Sequence, residues 1–189
     1  SFGYAFGQGI WRGLSKKVSS SIRCNVVALA SFNGESRLFA CTGFVIKWNR
    51  STIILTSASL VRSSGYENKI EENLRIEVYA NERCTQGTLQ HYSLHYNVAP
   101  VGVKDDYALL PAKIQLDHHM FYKVAAVGRC FESGKLMAAN GVLIGIGGPL
   151  VTFDGKVISM NFYDKKIGTP FLVWDDIHNI LAHFKDTVK

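Results

Sequence analysis

Between Cys24 and Ala58 the chain carries three apolar runs, each too short for a stable helix and each bounded by turn residues. They are Cys24–Ser31 (CNVVALAS), Leu38–Ile46 (LFACTGFVI) and Thr52–Ala58 (TIILTSA). Their β-branched side chains are stiff in a helix and pack well on a pleated surface, so all three read as strands. Asn33-Gly34 and the polar stretch 47–51 lie between them and suit short connections. Leu74–Ala80 (LRIEVYA) alternates apolar and polar residues, the period of a half-buried strand. Thr85–Tyr92 and Tyr96–Val103 bring the first half to six strands. The second half offers five more: Lys123–Gly128, Lys135–Leu143, Pro149–Phe153, Val157–Phe162 and Thr169–Val173. Asp154-Gly155 supplies a hairpin turn within it. The expected class is all-β, built as a barrel or sandwich.

Two helices are expected to frame these strands. Ile10, Leu14 and Val18 share one side of a helix over Gln8–Ser20. Ile177, Ile180, Leu181 and Phe184 recur at helical spacing over 174–185, with Asp175 and Asp176 at the N-terminal end, where negative charge is favoured. The 189 residues fit one domain with a real core, expected over 1–189. Apolar residues make up 47% and charged residues 19%, which excludes a disordered chain or a coiled coil. No apolar run could span a bilayer as a helix, and Ser1–Gly13 lacks the pattern of a signal peptide, so no membrane partner is expected.

The net charge is +6, but the basic residues occur as isolated pairs without interleaved aromatics, so no specific nucleic-acid partner is expected. Cys24, Cys41, Cys84 and Cys130 form no close pair, which excludes a disulfide framework and a standard zinc site. His91/His95 and His118/His119 have no cysteine or carboxylate at ligand spacing, so no metal is expected. No cofactor is expected either. Four unpaired thiols favour a reducing intracellular compartment such as cytoplasm, nucleus or plastid.

Three segments carry a family resemblance. Thr42-Gly43-Phe44-Val45-Ile46 followed by Ile54-Leu55-Thr56-Ser57-Ala58-Ser59-Leu60-Val61 resembles the S-G-x-V-I … I-L-T-x-A-H-x-V segment of HtrA/Deg-type trypsin-like proteases. Ile146-Gly147-Gly148-Pro149-Leu150-Val151, then Asp154-Gly155-Lys156-Val157-Ile158, resembles their G-N-S-G-G-P-L-V … D-G-x-V-I-G. Lys123–Gly128 resembles the strand that opens their second barrel. The likeness runs from about Leu14 to Phe184 and is nearest to plant Deg-like chains. It implies two barrels, the first over about 20–104 and a strand-deficient second over about 120–173; no PDZ module is expected behind the closing helix.

The resemblance also fixes what to expect of the chemistry. Ser59 stands where the family carries its base histidine, and Ile146 where it carries the nucleophilic serine. The acid position falls on Asn97 by strand order, while Asp106 matches the local D-x-A-x-L better. Gly145, Gly147 and Gly148 correspond to the oxyanion turn. Isoleucine offers no nucleophilic atom, and losing such a nucleophile costs on the order of 10⁶ in turnover. A serine hydroxyl does not titrate near neutral pH and cannot replace an imidazole. Cys41 is the remaining nucleophile near the implied cleft, and its expected role is a small buried strand residue.

Only 18 residues lead from Gly128 to Ile146, too few for the strand and long loop that wall the family's substrate pocket. The implied molecule is a pseudoprotease that binds protein or extended peptide. Its open second-barrel edge suits a homodimer or strand addition. The competing expectations are an active serine endopeptidase with a non-standard nucleophile at Ser57 or Ser59, and a structural domain of a longer chain.

Overall fold

The structure, a computed structural model, describes residues 8–65, 68–104, 109–115, 124–140, 147–161 and 171–186. Two helices open it, α1 (Gln8–Gly13) and α2 (Lys16–Asn25). The single helix expected over Gln8–Ser20 is thus broken. Ser15, extended at φ −63° and ψ 154°, accepts the Val18 N–H on its hydroxyl and starts a new helix as its N-cap. α2 then runs to Asn25, which delays the first strand from Cys24 to Val26.

Six strands follow: β1 (Val26–Asn33), β2 (Ser36–Trp48), β3 (Ser51–Thr56), β4 (Arg75–Ala80), β5 (Arg83–Leu89) and β6 (Ala99–Val103). They close into a barrel in the order β1-β2-β3-β6-β5-β4. β1 is buried on both faces from Val26 to Ser31, which is why its sequence reads as an unbroken apolar run. Val27 and Leu29 belong to one core cluster, with Val45, Ile54, Val78 and Val101. Val26 belongs to a second, with Phe44, Ile46 and Leu55. That second cluster extends into the other half of the molecule through Ala125, Val127, Val151, Met160 and Ile177.

The second half adds β7 (Lys113–Ile114), β8 (Val124–Arg129), β9 (Leu136–Asn140), β10 (Pro149–Thr152), β11 (Lys156–Asn161) and β12 (Phe171–Val173). The sheet order is β12-β11-β10-β8-β9, and β7 pairs β11 in parallel. Among the described residues the count is therefore six, not the five expected. The extra strand is two residues long and enters from upstream of residue 120. β7 and β12 lie end to end along the same side of β11, beside Lys156–Val157 and Ser159–Asn161 respectively. Helix α3 (Trp174–Asp186) closes the chain.

Several strand ends differ from expectation for local reasons. β3 stops at Thr56 because Ser57 accepts the Ser59 N–H on its hydroxyl and caps a 3₁₀ turn over Ala58–Leu60. The strand expected over Thr85–Tyr92 begins at Arg83 and ends at Leu89. The one expected from Tyr96 begins at Ala99, because Asn97 adopts φ 55° and turns the chain. β9 covers Leu136–Asn140 of the run expected to reach Leu143, whose remainder lies outside the described residues. Among the described residues no helix is long and apolar enough to cross a membrane.

Candidate functional site

The site begins at the end of β3. Its last residue, Thr56, pairs with Gly43 and Ala99, and the chain then tightens into the 3₁₀ turn that carries Ser59. Asn97 lies on the connection that enters β6, close to the neighbouring strand end. Its backbone is tied down by two contacts. The Asn97 carbonyl accepts the Ala58 N–H at 3.2 Å, and the Ser93 and Val98 backbones bond each other across the connection. The positive φ of Asn97 is one that asparagine tolerates better than most residues.

Two positions far apart in sequence thus come together. Asn97 Oδ1 accepts the Ser57 hydroxyl at 2.8 Å, the Ser59 N–H at 2.9 Å and the Ser59 hydroxyl at 3.1 Å. Ser57 is fully buried, while Ser59 and Asn97 are half-buried. No imidazole takes part in these contacts. His91 stacks on Phe184 at 5.2 Å, and His95 meets Tyr96 edge-on at 4.6 Å.

Gly147 brings the second half against the same turn. At φ +81° it is so close that a Cβ built there would lie 2.6 Å from the Thr42 carbonyl oxygen and 2.8 Å from the Ser57 amide nitrogen. Its N–H donates to the Asn161 carbonyl at 3.0 Å, and the Asn161 N–H returns to the Gly148 carbonyl at 2.9 Å. Gly147 and Gly148 are therefore anchored to the end of β11. Gly145, Ile146 and Asp106 lie outside the described residues.

Cys41 sits directly behind this turn. Its sulfur lies 3.2 Å from Thr56 Oγ1 and also bonds the Ser57 backbone. Burial pushes the thiol up to about 12, against the weaker lowering effect of those two hydrogen bonds. The thiolate a nucleophile needs is thus strongly disfavoured. The cysteine fills the role of a buried strand residue.

Sequence reading missed Arg129. Buried at the end of β8, it donates from Nε to the Val26 carbonyl at 2.7 Å, from Nη1 to Gly134 at 2.8 Å and from Nη2 to Arg23 at 2.7 Å. Its backbone N–H also donates to Thr42 Oγ1 at 3.0 Å, one residue before Gly43. An arginine at a strand end gives no sequence signal of this role, since these three guanidinium bonds go to backbone carbonyls, which every residue carries. A groove of about 420 Å³ lies between Gln90–Ser93 and His183–Phe184 of α3 and includes none of the site residues. Among the described residues no cluster of three or more histidine, cysteine or acidic side chains could hold a metal ion.

Solved structures share the fold. The Rv3671c protease from M. tuberculosis in its active form superposes with a TM-score of 0.66 at 19% identity, covering 87% of this chain and 82% of that one. An inactive serine-to-alanine mutant of the M. tuberculosis H37Rv protein gives 0.68 at 18% identity, covering 93% and 94%. The serine endoprotease from Yersinia pestis gives 0.67 at 16% identity, covering 92% and 68%. The chain has the two-domain trypsin-like fold. No protein-family model and no curated protein matches it. At these identities the likeness carries the fold, and the chemistry must be argued from the residues.

Proposed function

We propose that this chain is an HtrA/Deg-like pseudoprotease that holds an extended peptide without cleaving it. The observation that carries the reading is the Ser59–Asn97 hydrogen bond, a hydroxyl donating to a neutral amide oxygen at 3.1 Å. At the corresponding place a working triad needs an imidazole oriented by a carboxylate. Neither member of this pair takes up or releases a proton near neutral pH. Three further facts support the reading. Ile146 has no nucleophilic atom. The Gly147 N–H, beside the Ile146 position, is committed to the Asn161 carbonyl and does not face a ligand oxygen. Ser57, which has a hydroxyl, spends it on Asn97 and is fully buried.

The test is proteolysis of unfolded casein by the purified chain, beside labelling with a fluorophosphonate and a direct measurement of casein binding. The expected result is saturable binding with neither cleavage nor labelling. The triple variant Ser59→His, Asn97→Asp, Ile146→Ser is expected to recover little activity, because the 18 residues from Gly128 to Ile146 are too few for the strand and long loop that would wall a pocket. Cleavage by the parent chain that disappears in Ser57→Ala or Ser59→Ala would overturn the proposal.

A further inference from the structure

We infer that the side-chain amide of Asn97 is a preset donor for an acceptor oxygen on the bound ligand, a main-chain carbonyl or a terminal carboxylate of a peptide. The inference rests on the peptide-binding reading above and deepens it. The orientation of the amide follows from its neighbours. A backbone N–H at 2.9 Å and two hydroxyls at 2.8 and 3.1 Å converge on one atom of the Asn97 side chain. The backbone N–H can only donate, so that atom must be the oxygen. The reverse orientation would set amide hydrogens against it.

Nδ2 is consequently turned away from the Ser57–Ser59 turn, with two donor hydrogens. Among the described residues none accepts from it. Asn97 and Ser59 are both half-buried, so neither residue is sealed from solvent. The residue is also held in place before anything binds. Its carbonyl is bonded to Ala58, its backbone sits at φ 55°, and its oxygen is fixed by three donors. A donor fixed in advance loses little freedom on binding.

The Ser59 hydroxyl gives its hydrogen to Asn97 and keeps lone pairs that can accept. The pair therefore offers a donor beside an acceptor, the pattern that a peptide group answers with its own C=O and N–H. A carboxylate at this position would present acceptors only and would repel the same carbonyl. The asparagine thus inverts what the position recognises.

The test uses the full chain, labelled with ¹⁵N, and two probes. One is an octapeptide of alternating valine and alanine with acetylated and amidated ends; the other is the same peptide with a free carboxyl terminus. The Asn97 side-chain NH₂ signals are assigned by their absence in Asn97→Asp. That variant keeps the accepting oxygen and the tolerated backbone angle. The expected result is a shift of those signals on titration and a Kd about tenfold weaker in Asn97→Asp. Equal binding of the two peptides assigns the ligand atom to a main-chain carbonyl. A tenfold preference for the free acid assigns it to a terminal carboxylate. Peptide binding with the Asn97 signals unmoved and the variant within twofold of the parent overturns this inference and leaves the peptide-binding reading standing. Absence of binding by both peptides at millimolar concentration overturns both.

Discussion

The guanidinium of Arg129 reaches three carbonyls that belong to different pieces of the chain: the end of α2, the start of β1 and the turn between β8 and β9. A carbonyl in the last turn of a helix carries partial negative charge, which suits a cation. Charge-assisted bonds made out of reach of water exceed the contribution of ordinary ones. Replacing Arg129 with Met leaves those carbonyls without their donor and is expected to cost about 3 kcal/mol in urea unfolding. Lys should restore only part of that, because an ammonium cannot reproduce the planar fork. A loss below about 1 kcal/mol would mean that water replaces the side chain. Cys41 gives a prediction of the opposite kind, in pH. Burial raises its thiol from 9.0 to about 12, so the folded protein keeps a proton that the unfolded chain gives up. The resulting stabilisation is complete below pH 9 and is lost as pH rises toward 12. The stability difference between the parent and Cys41→Ala should therefore shrink between pH 8 and 10.5. A difference that stays constant over that range would show that the thiol titrates as it does in the unfolded chain.

At the scale of the element, the turn at Gly147 ties the two halves together. It needs a positive φ and has no room for a Cβ, since both neighbouring atoms belong to the first barrel's backbone. Gly147→Ala should cost about 3 kcal/mol and shift the backbone amide signals of Thr42 and Ser57. A variant as stable as the parent would show that the turn can move away without consequence. The elements that were legible in sequence are those whose pattern is local. β4 alternates buried and half-buried residues along its whole length, and α3 keeps its apolar stripe. β7 was not legible, because two residues have no periodicity and its parallel partner lies more than forty positions away. The break between α1 and α2 had a signal in Ser15, a good N-cap, but the apolar spacing of Ile10, Leu14 and Val18 runs straight across it. The site was legible as far as the pairing of Ser59 with Asn97, which strand order implied. Its three-donor geometry was not, because Ser57 enters only once the 3₁₀ turn is in place.

Across the whole molecule, the asymmetry between a closed barrel and an open sheet explains the place of the N-terminal helices. The first barrel has no free edge, since β1 pairs both β2 and β4. Among the described residues the second sheet ends at β9 and β12, and its apolar side is covered by other means. α1 packs against β9, a Cβ on Gly13 would lie 3.0 Å from the Phe153 ring, and Val18 lies over Gly155 in the β10–β11 turn. Ile10, Leu14 and Ile22 join the same core cluster as Ala125, Val127, Ala138 and Val151. The helices thus bury the face that a closed second barrel would bury with its own strands. Deleting residues 1–14 removes the buried Ile10 and Leu14, at 3% and 8% exposure, along with the contact of Trp11. Burial of a large aliphatic side chain contributes about 2 kcal/mol, so the truncated chain should lose about 4 kcal/mol. The first barrel's inner cluster contains no residue of either helix, so its hydrogen-exchange protection should persist while that of β8, β9 and β10 falls. Uniform loss of protection across both halves would instead show that the molecule unfolds as one unit. Unchanged protection in β8, β9 and β10 would show that α1 merely rests on a sheet that is stable without it.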